Sequence, residues 1–247
     1  MNTLFLLGGH DLEMLEIKKL LENNGHDVSD ANLRWDNAYL DAYQDVLEQH
    51  PQTAFVGIEL RGPHHLAINY HYTLIDHHNE LSRRPASILQ VAAMLSIDPD
   101  RRMLLVAAND SGYIPAMEAL GATPDEITAI RQEDRRAQGI TQNDEALAEL
   151  SINEHILKTD KAIIVHSLTP RFPSICDRLY PYSSLLIYTD QEWVFYGIGK
   201  SEIEKQMAPE ILSGRIYHGG GDTGYIGAAK RAFSPQEIKA FVSTFKQ

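Results

Sequence analysis

The stretch whose reading decides the fold is YTLIDHHNEL, Tyr72 to Leu81. An apolar run, Tyr72-Thr73-Leu74-Ile75, stops at an acid and two adjacent histidines. Such a short apolar run reads as a buried strand. Its end carries three side chains of metal-ligand chemistry, Asp76, His77 and His78. Neighbouring residues at a strand end point in different directions, so these three cannot all hold one ion. They can serve two ions, or one ion and one substrate oxygen. The plainer reading is a polar loop start in a histidine-rich region, since His64, His65 and His71 stand close by.

Working outward, the same pattern recurs. Leu4 to Leu7 reads as a strand and is followed by His10, Asp11 and Glu13. Thr53 to Leu60 reads as a strand that ends near Glu59. Arg102 to Ala108 reads as a further strand, followed by Asn109-Asp110-Ser111-Gly112. A strand also begins at His26-Asp27-Val28. Helical spacing covers Leu15 to Asn24, Asp41 to Gln49, Pro85 to Ile97 and Ile114 to Leu120, and Thr123-Pro124-Asp125-Glu126 opens another helix with capping-box chemistry. Strands alternating with helices predict an α/β domain, a mostly parallel sheet with flanking helices. In such sheets the ligand crevice lies beyond the carboxyl ends of the strands. Four polar clusters are predicted at that edge. Singly, each has a simpler reading: Asp11 as a helix N-cap with Glu13 favouring the first-turn dipole, and Asn109 to Gly112 as a turn.

Charge and cysteine content narrow the function. The formal net charge is -12, which excludes a basic footprint for long nucleic acid. Small anionic substrates remain compatible, because bound divalent cations can supply local positive charge. Cys176 is the single cysteine, so neither an intrachain disulfide nor a cysteine zinc cluster forms. No run approaches the roughly 18 apolar residues of a membrane span. MNTLFLLGGHDLEM lacks a basic n-region. A cytoplasmic location is expected. No Walker A, G-x-G-x-x-G or G-x-S-x-G motif occurs.

From about Lys161 the texture changes. Ala162 to His166, Ser184 to Tyr188 and Trp193 to Tyr196 read as strands, with Asp190-Gln191 in a hairpin turn. Ile216 to Gly227, IYHGGGDTGYIG, reads as a Gly-rich turn entering a helix. Pro235 to Phe245 reads as a terminal helix capped by Ser234. The expected organisation is a metal-binding α/β domain over 1–135, a helical connector over 136–158, and a smaller α/β C-terminal substrate-binding domain over 159–247.

The order of these motifs resembles the DHH phosphoesterase family. There a first strand leads to a D-x-D-type motif, a later strand ends in a single acid, the next ends in Asp-His-His, and another segment is Asp-Thr-Gly-like. Here the series is Asp11-Leu12-Glu13, Glu59, Asp76-His77-His78 and Asp110-Ser111-Gly112. The segment SRRPASILQVAAML resembles the family's helix beneath the site. The resemblance covers roughly residues 1 to 135. It implies metal ligation by Asp11, Glu13, Glu59, His77 and Asp110, with Glu59 bridging two ions. It also implies phosphate binding or leaving-group protonation by His78, and Asp76 as the acid that orients its neighbouring histidine. Manganese is the favoured cofactor, with magnesium, iron or zinc as alternatives. The family's C-terminal GGGH-type loop has a counterpart in His218, Gly219, Gly220, Gly221 and Asp222, with an acid where the histidine stands. Leu7 replaces a histidine of the first motif, and two acids are Glu where Asp is usual.

The function implied is hydrolysis of phosphate esters or anhydrides of a small phosphorylated molecule or short nucleotide, with the substrate in the cleft between the domains. A homodimer is compatible with the sequence. Two rivals stand beside this: a non-catalytic DHH-like binding protein with an eroded metal site, and a zinc amidohydrolase built on the histidine-rich segment His64 to His78, in which His64, His65 or His71 is essential.

Overall fold

A computed structural model describes residues 2–35, 37–62 and 69–246 of the 247-residue chain. The chain forms two compact units, Met1–Gly139 and Ile140–Gln247. The architecture is α/β in both. The first holds a parallel sheet with helices and the second a mixed sheet with helices.

In the first unit the strands are β1 (Thr3–Leu7), β2 (Asp27–Asp30), β3 (Ala54–Ile58) and β4 (His71–Ile75), in the order β2-β1-β3-β4. All pairings are parallel. Parallel strands require crossovers, and α1 (Leu12–Asn23) supplies the first. Its buried positions Leu12, Ile17, Leu20 and Leu21 follow helical spacing. A 3₁₀ turn, Leu40–Tyr43, leads into α2 (Gln44–Gln49). The strand order reverses between β1 and β3, the point at which open α/β sheets form a ligand crevice. Gly8 follows β1 there. A Cβ at this position would fall on the carbonyl oxygens of Ile58 and Glu59, so only glycine allows the two strand ends to come so close.

After β4 come α3 (Ser87–Met94), α4 (Arg101–Ala119) and α5 (Pro124–Ala137). Helix α4 corrects one expectation: Arg102 to Ala108 is helical, not a strand. The Asp100 side chain caps it, accepting from the Met103 N–H at 2.8 Å. The helix continues through Asn109-Asp110-Ser111 and breaks at Gly112 and Tyr113, where φ of Tyr113 is +60°. Asn109 to Gly112 is therefore a kinked helix segment rather than a turn after a strand. The capping box at Thr123 and Glu126 opens α5 as expected.

The second unit begins with α6 (Gln142–His155), which packs on α7 (Pro173–Leu179) and on β6 (Ile163–His166) within that unit. The sheet order is β5-β6-β7-β8-β10-β9, with β5 Ile156–Lys158, β7 Ser184–Tyr188, β8 Trp193–Gly197, β9 Ile216–Gly219 and β10 Tyr225–Ala228. The hairpin at Asp190-Gln191 is present, closed by the Thr189 N–H to the Glu192 carbonyl at 2.8 Å. The glycine-rich segment differs from expectation. It enters β10, not a helix, and β9 and β10 form an antiparallel hairpin. Tyr225-Ile226 favours a strand, and two left-handed glycines, Gly220 and Gly221, make the turn. Helices α8 (Lys200–Gln206) and α9 (Ala208–Leu212) precede it, and α10 (Pro235–Ser243) comes after it under a Ser234 capping box. Among the described residues no helix is long and apolar enough to cross a membrane.

Candidate metal centre

Two strand ends and two helices meet around His77. Its Nε2 lies 2.6 Å from Asp110 Oδ2, 3.4 Å from Glu59 Oε1 and 3.5 Å from Glu13 Oε2. The ring and all three carboxylates are largely or wholly buried. Even a protonated imidazole neutralises one carboxylate out of three, and uncompensated buried charge is strongly unfavourable. Glu13 Oε2, both Glu59 oxygens, His77 Nε2 and Asp110 Oδ2 have no partner in hydrogen-bond geometry. Buried polar atoms are nearly always satisfied, and here several of them converge on one point without a hydrogen-bond partner. Ligand atoms of Glu59, His77, His78 and Asp110 lie mutually within 4.8 Å, and this group can hold a metal ion. Mixed imidazole and carboxylate donors suit manganese, iron or zinc.

Each side chain of the cluster is placed by identifiable local structure. Glu59 comes directly after β3 with φ of +54°, a left-handed conformation that costs a non-glycine residue about 1–3 kcal/mol. Its N–H is fixed on the Ile75 carbonyl at 2.8 Å. Glu13 lies in the first turn of α1 and accepts the Ile88 N–H of α3 through Oε1 at 3.0 Å. Burial, with Asp110 and Glu59 nearby, pushes its carboxyl well above the usual range, against the pull of His77. Burial disfavours a charged His77, but contacts with Asp110, Glu13 and Glu59 outweigh it and raise the ring to about 12.

Asp11 fulfils its simpler reading. It caps α1, accepting the Met14 N–H at 2.9 Å, and its second oxygen accepts the Trp35 indole N–H at 3.3 Å. Burial and the charges of Glu59 and Asp110 push its carboxyl up to about 7. It borders the cluster, and each of its oxygens accepts one of these hydrogen bonds and keeps a second lone pair. Asp76 accepts the His78 N–H at 2.8 Å and lies 3.0 Å from His78 Nδ1. Burial opposes this, yet the His78 contacts hold the Asp76 carboxyl below its usual value. In turn they raise the His78 ring above its own, despite its burial. Leu7 is core, 1% exposed, and supplies no ligand. His71 is exposed at the start of β4, and His64 and His65 lie outside the described residues.

Sequence reasoning missed the strut behind the centre. Arg131 of α5 bonds Asn109 Oδ1 at 2.8 Å and Asp134 Oδ2 at 2.7 Å. Asp134 Oδ1 accepts the Leu12 N–H at 3.3 Å. The residue before Asp110 and the residue between Asp11 and Glu13 are thus held by one buried ion pair. In sequence, RQEDRRAQ reads as a solvated helix face, so nothing marked it. Trp35 was missed as well, because a lone tryptophan in a loop carries no motif.

In the second unit, Lys200 Nζ donates to the Gly221 carbonyl at 2.6 Å and pairs with Glu204 at 2.9 Å. His218 Nδ1 meets the same Glu204 at 2.5 Å. Asp222 Oδ1 accepts the Ser201 hydroxyl at 3.3 Å. The hairpin turn Gly219-Gly220-Gly221 is therefore fixed from beneath by α8.

No protein-family model and no curated protein matches this sequence. Solved structures do. A DHH-domain protein described as a member of a family of ribosomal proteins matches with a TM-score of 0.60, covering 99% of this chain and 86% of that one at 12% identity. The fold is that of a DHH-domain protein. RecJ of Thermus thermophilus, solved with Mg2+, gives a TM-score of 0.49 at 15% identity, over 98% of this chain and 50% of its own. The pGpG-specific phosphodiesterase PggH of Vibrio cholerae gives 0.47 at 11% identity, over 100% and 99%. In this chain with a DHH-like fold, the side chains of the Asp-His-His triplet point in different directions. His77 enters the carboxylate cluster, while Asp76 turns back onto His78.

Proposed function

We propose that this chain is a divalent-metal-dependent phosphoesterase acting on a small phosphate ester, anhydride or short nucleotide. The observation that carries this reading is the gathering of three buried carboxylates around His77 Nε2, with their facing atoms outside hydrogen-bond geometry. Glu13, Glu59, His77 and Asp110 would hold the cation, with manganese favoured. The bound cation would polarise phosphoryl oxygens and lower the pKa of a nearby water.

The chain's own groups do the rest. Ile88 N–H and the Ile75 carbonyl hold Glu13 and Glu59 in place. Asp76 fixes the His78 ring through Nδ1 and favours its protonated form. This leaves Nε2 as the donor toward a leaving oxygen. In the second unit, glycines at the hairpin turn would let a ligand approach the backbone closely. Asp222 disfavours a second phosphate there and accepts from hydroxyl or amino groups.

The test is elemental analysis of the purified protein, then a manganese-supplemented phosphoester panel. Bound manganese with turnover supports the reading, and its absence in both assays sinks it. Leu7 favours the second reading, a binding protein with a reduced metal set: metal without turnover is its signature.

A further inference from the structure

The loop between β2 and the 3₁₀ turn presents a tryptophan at the rim of the centre. Leu33 and Ala38 anchor this loop in the core, while Trp35 and Tyr39 stay 43% and 41% exposed. A single exposed aromatic means little. Trp35 differs because its polar edge is committed to the site. The indole N–H donates to Asp11 Oδ2 at 3.3 Å, and the ring packs edge-on against His78 with centroids 4.5 Å apart.

The loop is also held on several sides. The Tyr43 hydroxyl donates to the Leu7 carbonyl at 2.5 Å and accepts the Ala31 N–H at 2.9 Å. Arg61, two residues past Glu59, donates its guanidinium to the Trp35 carbonyl and lies 4.3 Å over the Tyr39 ring. The Asn37 side chain accepts the Arg34 N–H at 2.7 Å. These ties fix the indole in place before a ligand arrives, which lowers the ordering cost of binding.

We propose that Trp35 is the stacking platform for the nucleobase of a substrate whose phosphate is held beside His78. This rests on the phosphoester reading of the same centre, selects the nucleotide among the substrates proposed there, and names the residue that would hold its base. The ring borders the proposed proton donor, and a nucleotide carries its base one sugar away from its phosphate. Exposed Arg61 adds positive charge at this rim. The overall charge of -12 disfavours a long polyanion, so one stacked base, not a track of them, fits the surface. Stacking on an aromatic ring needs no particular base edge and tolerates any sequence.

Adenosine 5′-monophosphate and ribose 5-phosphate share the sugar phosphate, and the base of the first stands where the second has its anomeric hydroxyl. Their binding and hydrolysis are measured for wild type, Trp35→Phe and Trp35→Ala in the full chain with metal present. Circular dichroism and metal content serve as folding controls. Trp193 lies in the core of the second unit, 1% exposed, so quenching by the mononucleotide that disappears in Trp35→Phe reports Trp35. The expected result is that Trp35→Ala weakens the mononucleotide about 5- to 150-fold, the range of one stacked base. Ribose 5-phosphate is unchanged and Trp35→Phe is intermediate. Equal weakening of both ligands makes the indole a wall of the metal site and overturns the platform; so does no change in either. Trp35-dependent base binding without hydrolysis of any phosphoester supports the platform and counts against the catalytic reading alone.

Discussion

His77 Nε2 and Asp110 Oδ2 lie 2.6 Å apart although one residue sits just past a β-strand and the other rides a kinked helix. With Glu13 and Glu59 beside them, the pair forms a buried group whose negative charge one imidazole does not balance. A cation that binds the folded form alone then stabilises it, by about 2.7 kcal/mol at a free concentration one hundred times its Kd. Added manganese should raise the melting temperature, a chelator should reverse the rise, and His77→Ala should abolish it while keeping the wild-type circular dichroism. Unchanged metal stoichiometry in His77→Ala rejects the ligand set.

His78 should matter more for rate than for metal retention, because Asp76 turns its ring through Nδ1. We expect His78→Ala to keep bound metal and to lose about 10²–10⁴ in kcat, the usual range for a positioned acid or base. Elemental analysis beside steady-state kinetics checks this. Full activity in the variant removes His78 from the chemistry, and loss of metal moves it into the ligand set.

Asp134→Ala should be among the more damaging substitutions outside the ligands. It strips the buried Arg131 of its carboxylate and the Leu12 N–H of its acceptor. Breaking a buried pair from one side costs about 3–5 kcal/mol. The double change Arg131→Met with Asp134→Leu should cost less than the single one, since it removes both charges of the buried pair together. Denaturant melts of the three proteins decide, and equal stability of Asp134→Ala and wild type would falsify the strut.

Gly8→Ala and Gly9→Ala make a matched pair. At Gly8 a methyl meets backbone carbonyls that cannot yield, and at Gly9 the nearest atoms are 3.7 Å away in ordinary contact. Overpacking typically costs about 1–3 kcal/mol. Gly8→Ala should show that loss together with weaker metal binding, because the displaced carbonyls belong to Ile58 and Glu59. Gly9→Ala should fold normally. Calorimetric unfolding with metal titration separates the two.

Most of the frame is readable because its signals are local. Apolar runs ending in acids or histidines mark β1, β3 and β4, and the capping boxes at Thr123 and Ser234 mark two helix starts. The misreading of Arg102 to Ala108 has a physical cause: a short apolar run does not distinguish strand from buried helix. Asp98-Pro99-Asp100 is the overlooked start signal. Asp110 still reaches the centre, since the break at Gly112 and Tyr113 ends the helix where a strand end is expected from sequence. The glycine turn reads forward into a helix because glycines permit a reversal without choosing the element it leads to. Arg131, Asp134 and Trp35 are illegible for a different reason. Arg131 and Asp134 show an ordinary i,i+3 helix pair, but their further partners Asn109 and Leu12, like Asp11 for Trp35, lie far away in the chain, and no spacing rule reports those.

The Leu12 N–H finds its acceptor 122 residues later, on Asp134. A chain emerging from the ribosome delivers Glu13, Glu59 and His77 well before α5 exists. Domains fold as units during synthesis. The first unit is therefore expected to close this cluster only after residue 134 has emerged, and a nascent chain stopped at Leu81 carries Glu13, Glu59 and His77 without Asp110 or α5. Comparing manganese retention by chains ending at residue 122 and at residue 139 reads that order directly: retention should appear only in the longer one.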